Sequence, residues 1–271
     1  MIKIITDSSS NVSQEEAKKL SVTVMPLTIM FGAEEFRDGI DIDGDAFYEK
    51  LTSSKEFPHT AQLAEEQIEA AVKAAKEEAD EVLIMPIASA LSGSYERCKA
   101  VAAKYQNVYA YDTKCTTLML KMLVLEALAN AEKPAAEVIK ILDGFRPKIK
   151  LYAALDTLEY LCKGGRLSKA TAFLGTLLKI KPVIEITGEG KVELISKQFG
   201  INKGISYVAQ KADLKKIDFT KPVYMLYTWH DKNCQTLISK LGVENYEKCN
   251  ICPVIGAHNG PEGAGIVFAE K

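Results

Sequence analysis

Short apolar runs alternate with helical periodicities along the first half of the chain. IKIIT (2–6) is strand-like, and in the following DSSSNVSQEEAKKL the pair Ser13 and Glu16 stands at capping-box spacing before a helix. VTVMPLTIMF (22–31) reads as a second strand. DIDGDAFYEKL (41–51) opens acidic and closes on Lys50, as a short helix does. In AEEQIEAAVKAAKEEA (64–79), Ile68, Ala71, Val72 and Ala75 recur at i, i+3, i+4 and i+7, the stripe of an amphipathic helix. EVLIMPI (81–87), a helix from about Ser94, NVYAYD (107–112) and TTLMLKMLVLEALANA (116–131) continue the alternation. Near-continuous apolar strands separated by helices predict a three-layer α/β/α unit whose parallel sheet is covered on both faces.

The rhythm changes after Pro147. IKLYAAL (149–155) is strand-like, and KPVIEITGEGKVELISKQFG (181–200) has two alternating runs flanking Gly188-Glu189-Gly190, a hairpin signature. A helix over GISYVAQKADLKKI (204–217), a strand PVYMLYT (222–228), a helix DKNCQTLISKLG (231–242) and a closing strand GAGIVFAE (263–270) follow. A hairpin combined with helices predicts a mixed sheet, so the expected division is a first α/β domain over 1–150 and a second over 151–271.

A length of 271 residues accommodates two cores, and 47% hydrophobic with 26% charged residues is the composition of a globular protein. A net charge of −2 with both signs interspersed gives no electrostatic footprint for nucleic acid. The opening MIKIITDSSS has too short an apolar run for a signal peptide, and Lys121 interrupts the most apolar stretch, so no transmembrane segment is expected. Six scattered cysteines do not make a disulfide framework, which points to a reduced, cytoplasmic setting.

The chemistry-bearing candidates lie beyond predicted strand ends, where ligands sit in α/β sheets. SALSGSYERC (89–98) sets Ser89, Ser92, Gly93 and Ser94 at a helix start, where free N–H groups and hydroxyls suit an anion. An ordinary helix cap explains the same residues, and the sequence leaves both readings open. Thr60, in HTAQ (59–62), is a cap for the following helix or a second hydroxyl on the same crevice. His258, in the glycine-rich AHNGPEGAG (257–265), is a proton carrier, a donor or a structural side chain. KGGRLSK (163–169) and GEGK (188–191) lack the Walker spacing. Cys249 and Cys252 have CxxC spacing with no second pair, and Asp41, Asp43 and Asp45 lack the distal glutamate of a calcium loop, so no metal site is expected.

IITDSSSN, FRDGIDID, LSGSYERC, LEYLCKGGRLSKATAFLGTLLKIKPVIEI and PVIGAHNGPEGAGIVF, in that order along the whole chain, resemble the DegV family of fatty-acid-binding proteins. The resemblance implies a parallel-sheet α/β/α domain, a second domain with a mixed six-stranded sheet, and an acyl chain in a buried tunnel. It places the carboxylate on Thr60 and Ser92, with His258 close by, while the sequence does not separate the roles of the neighbouring Ser89 and Ser94 from that of Ser92. It implies a carrier without cofactor or catalysis of its own, which hands its fatty acid to a separate kinase. The chain departs from the family pattern at Ala61, where a hydroxyl residue is common, and in SKQFGINKG, which lacks the arginine of kinase-competent members. Helix 116–131 and TAFLGTLL (171–178) are candidate tunnel walls. The alternatives are a serine acyl hydrolase using Ser92 and His258, against which stands the missing GxSxG elbow, and a carrier of another anionic amphiphile.

Overall fold

The computed structural model describes residues 1–167 and 180–271. The first half runs β1 (Ile2–Asp7), α1 (Gln14–Leu20), β2 (Thr23–Met25), β3 (Thr28–Phe31), β4 (Glu34–Arg37), α2 (Gly44–Ser53), β5 (His59–Ala61), α3 (Glu65–Glu78), β6 (Glu81–Met85), α4 (Ser94–Ala102), β7 (Val108–Ala110), α5 (Thr117–Ala129) and α6 (Ala135–Phe145). The rest runs β8 (Ile149–Ala154), α7 (Glu159–Lys163), β9 (Lys181–Ile186), β10 (Val192–Gln198), α8 (Ile201–Lys211), β11 (Tyr224–Tyr227), α9 (Lys232–Leu241), β12 (Glu247–Asn250), α10 (Pro253–Asn259) and β13 (Ala264–Ala269).

The expected parallel sheet is present, in the order β2-β1-β6-β7. Its central strands carry Ile4, Ile5, Leu83 and Ile84, all buried, which is why they read as continuous apolar runs. The mixed sheet is also present, with six strands in the order β10-β9-β8-β13-β11-β12. Only β11 and β12 pair in parallel there; every other neighbouring pair is antiparallel. Gly190, at φ +76°, closes the hairpin between β9 and β10, as its sequence suggested.

A third, antiparallel sheet (β4-β3-β5) differs from the expectation. The run 22–31 is not one strand: it divides around Pro26, sending β2 to the parallel sheet and β3 to the small one. Proline donates no ladder hydrogen bond, so a chain that must leave one sheet for another does so there.

The largest apolar cluster includes side chains from both halves, and a second packs α8 and α9 against the six-stranded sheet. Helix α5 is apolar on nearly all sides because it is buried on nearly all sides. Its one cation, Lys121, is only 4% exposed and is neutralised by Glu16 at 2.8 Å and Glu247 at 3.4 Å. Asn11 fastens the two halves where the site will form. Its amide donates to Asn250 O at 3.0 Å, and its Oδ1 accepts from Cys252 N at 2.7 Å. Both bonds fall just before α10. Gly256 then lets α10 lie directly on Phe47 and Tyr48 of α2, because a Cβ there would meet the Tyr48 hydroxyl at 2.5 Å.

The close approach of β13 to β8 has the same origin. At Gly265, paired with Ala153, a Cβ would press into the Tyr152 carbonyl. Gly265→Ala is expected to lower stability by about 1–3 kcal/mol, the range of overpacking, measured as a fall in the urea midpoint. An unchanged midpoint would contradict this strand register.

Candidate functional site

The strand ends come first, because they decide where hydroxyls can stand. Asp7, at the end of β1, accepts from Ile87 N at 2.8 Å and from Ser9 N at 3.0 Å. It therefore ties the first loop to the segment leaving β6. Burial pushes its carboxyl up to about 6, against the opposing pull of its hydrogen bonds with Ser9 and Ile87. TDSSS is thus a structural turn, and Asp7 is its staple.

Ser92 lies in the turn after β6, and its amide donates to Ala88 O at 3.2 Å. Helix α4 begins at Ser94 with Gly93 in the cap position and no side-chain cap bond. The hydroxyls are instead joined in sequence. Ser94 Oγ accepts from the backbone N–H of Leu63 at 3.2 Å and lies 3.0 Å from Ser92 Oγ. Ser92 Oγ also accepts from Ser94 N at 3.2 Å. Ser94 is fully buried and, among the described residues, Ser92 Oγ is the acceptor its hydroxyl meets, so the Ser94 proton is assigned to Ser92. With two donors already on its oxygen, the Ser92 proton is left to point elsewhere.

Thr60 is not a helix cap. It pairs with Ile29 inside the small sheet, and α3 starts at Glu65, four residues beyond Ala61. Its Oγ1 lies 2.9 Å from Nε2 of His258. His258 is not in a loop either: it stands near the C-terminal end of α10, because Pro253 starts a helix that continues to Asn259. Its Nδ1 is buried and, among the described residues, without a partner, beside Gly164, where a Cβ would occupy the same space. A buried orphan N–H is rarer than an orphan acceptor, which puts the ring proton on Nε2, facing Thr60. Thr60 then accepts from the imidazole and its own proton is free to donate.

Thr60, Ser92 and His258 line one cavity of about 480 Å³. Ser94 does not line it, and Ser89 is elsewhere, donating to Asp112 at 2.6 Å. Aliphatic side chains form most of the wall: Leu151, Ile184, Val192 and Leu226 from the six-stranded sheet, with Leu27 and Ile87 from the segments that follow β2 and β6 of the parallel sheet. The charged lining residues are Arg97 and Arg166, and among the described residues no aspartate or glutamate joins them. Arg166, from the KGGR stretch, went unnoticed in the sequence because that stretch invited comparison with a nucleotide loop. Its guanidinium donates to the carbonyls of Leu91 at 3.1 Å and of Gly164, so among the described residues its contacts are neutral oxygens. Arg97 donates to Leu63 O at 2.9 Å, and Gln62 accepts from it at 2.8 and 3.0 Å. Burial first, then the charge of Arg166 and the neighbouring His59, lowers His258 to about 4.

The cavity therefore joins an aliphatic interior to two lining hydroxyls and two guanidinium groups, a combination that suits an anionic head on an apolar chain. A Ser92–His258 hydrolase does not fit it: Nε2 serves Thr60 and not Ser92, and no acid orients Nδ1 among the described residues. No group of His, Cys, Asp and Glu among the described residues can hold a metal, and no helix there is long and apolar enough to cross a membrane. The candidate wall TAFLGTLL lies outside the described residues. The wall contributed by helix 116–131 is confined to Thr116 and Thr117.

Comparison with known proteins follows the same direction. A family model described as "Uncharacterised protein, DegV family" matches residues 1–271. A DegV domain-containing protein of Deinococcus radiodurans is 32% identical over 275 residues, covering 98% of each chain. A solved structure described as "Fatty Acid Binding of a DegV family Protein from Thermus thermophilus" has a TM-score of 0.88 at 29% identity, covering 100% of this chain and 99% of that one. A second, "Crystal Structure of DegV, a fatty acid binding protein from Bacillus subtilis", also has a TM-score of 0.88, at 25% identity with the same coverage.

The depressed imidazole gives a testable sign. Because the folded value of about 4 lies below the unfolded 6.5, the unfolded chain binds the extra proton between them. This contribution to stability is present above pH 6.5 and lost as pH falls toward 4. His258 resonances followed by NMR should not titrate between pH 8 and 5.5, and His258→Asn should lose stability less steeply than the wild type from pH 6.5 to 4. An imidazole titrating near 6.5 would contradict the buried, neutral assignment.

Proposed function

Since the chain belongs to the DegV family, we propose that it is a non-enzymatic carrier of a long-chain fatty acid, with the acyl chain in the cavity and the carboxylate on Thr60 and Ser92. The observation that carries this reading is the charge pattern of the cavity: aliphatic walls, with Arg97 and Arg166 as the charged lining and no lining carboxylate among the described residues. The descriptions of the Thermus thermophilus and Bacillus subtilis structures as fatty acid binding support it.

In this reading the two hydroxyl chains act as fixed donors. Leu63 N–H and Ser94 orient Ser92, the imidazole orients Thr60, and Arg166 supplies the opposite charge. The tail supplies most of the affinity. About fourteen methylenes at about 0.8 kcal/mol each come to roughly 11 kcal/mol gross, whereas a hydrogen bond to a charged group nets about 1.5–3 kcal/mol. The hydroxyls therefore select the head group. Thr60, Ser92 and Arg166 are only partly buried, so the bound carboxylate is the end of the ligand within reach of a separate kinase, which would form the acyl phosphate.

Protein purified from a bacterial host and extracted under denaturing conditions should release a long-chain fatty acid, identified by mass spectrometry. A clean extract together with no uptake of added palmitate or oleate would sink the proposal. Thr60→Ala with Ser92→Ala should weaken palmitate at least about tenfold, from the loss of hydrogen bonds to a charge, and methyl palmitate much less. Equal losses for acid and ester would show that these hydroxyls do not read the carboxylate.

A further inference from the structure

Thr116 and Thr117 line the cavity outside the carboxylate site, as do Gln62, Arg97 and Asn259, but only the two threonines have buried hydroxyls without a partner among the described residues. They lie where α5 begins, Thr116 as the cap residue and Thr117 as the first helical residue. Both are buried, at 5% and 3% exposure, and both line the cavity. Among the described residues, neither hydroxyl oxygen has a hydrogen-bond partner. Thr116 does not use its hydroxyl to cap its own helix, the ordinary fate of a threonine there. Thr117 has φ +48°, a backbone conformation that β-branched residues rarely adopt. Such strain persists where surrounding structure holds it, and it gathers at binding sites.

The position of the pair along the ligand follows from the backbone. Ala88 N–H donates to Cys115 O at 2.9 Å, and Ala88 O accepts from Ser92 N at 3.2 Å. Thr116 therefore adjoins the same short segment that carries Ser92. A plain hydrocarbon chain laid across this point would strip water from two hydroxyls and return nothing. A chain with an oxygen atom there would give them a partner.

Building on the fatty-acid reading above, we propose that the cavity is adapted to a fatty acid oxygenated near its carboxyl end, with Thr116 and Thr117 as the residues that recognise the chain's hydroxyl or keto oxygen. Thr60 and Ser92 keep the carboxylate. The two pairs of hydroxyls divide the ligand between them, one reading the head and the other the substituted chain.

The test compares palmitate with 3-hydroxypalmitate on the delipidated full-length protein, in competition monitored by native mass spectrometry. The hydroxy acid is expected to bind about three- to tenfold tighter, the yield of a neutral hydrogen bond. Thr116→Val with Thr117→Val should reverse that order, weakening the hydroxy acid while leaving palmitate equal or tighter. Valine keeps the β-branch, and Thr116→Val alone serves if the double variant does not fold. Equal wild-type affinities for the two acids would overturn the inference, as would a variant that weakens both alike, which would place the carboxylate itself on the threonines. Failure of both acids to bind the wild type would instead overturn the fatty-acid reading.

Discussion

A hydroxyl group is a useful anion donor only when something else fixes where its proton points. In this protein the fixing groups are a backbone N–H, which can only donate, and an imidazole whose tautomer is set by its surroundings. The backbone N–H of Leu63 holds Ser94, which holds Ser92, and the Nε2 proton of His258 holds Thr60. Each chain ends at a hydroxyl on the cavity wall. In the carrier proposed above, selection of a negative head group rests on that directionality as much as on the two arginines, whose charge alone selects no geometry.

Directionality in turn depends on how the halves of the chain are fastened. Leu63 N–H stands in the stretch between β5 and α3, and Ser94 starts α4, so the first hydroxyl chain is internal to the α/β layers around the parallel sheet. The second is not: Thr60 comes from the small sheet and His258 from α10, 198 residues later. Asn11 and Gly256 hold α10 to the first half closely enough for that contact. Gly164 leaves space for the imidazole and Arg166 follows it on the same loop. The end of the cavity that carries these hydroxyls and Arg166 is thus assembled from four separate segments, and its aliphatic wall from the six-stranded sheet together with Leu27 and Ile87 beyond strands of the parallel sheet.

The sequence was most legible where one residue's environment is set by its immediate neighbours. The Ser13 cap, the buried face of α3 and the Gly190 turn follow from local spacing, and each stands where spacing placed it. It was least legible where a residue serves two partners. Pro26 ends one strand and frees the next for a different sheet. The glycine-rich stretch after residue 256 looked like a loop, although Gly256 and its neighbours form a helix packed against α2. Arg166 was hidden because its surroundings imitate a phosphate loop, and its value lies in contacts with Leu91, 75 residues away.

By itself the sequence determined the alternation of elements, the parallel and mixed sheets, and the hydroxyl and imidazole residues available for an anion, because periodicity and side-chain chemistry are local properties. Only the tertiary structure decided which of them face one cavity, that Ser94 supports Ser92 instead of lining the wall, and that Ser89 belongs to Asp112. Those outcomes depend on packing between distant segments, and the direction of a hydroxyl proton is set by whichever donor the folded chain brings against it.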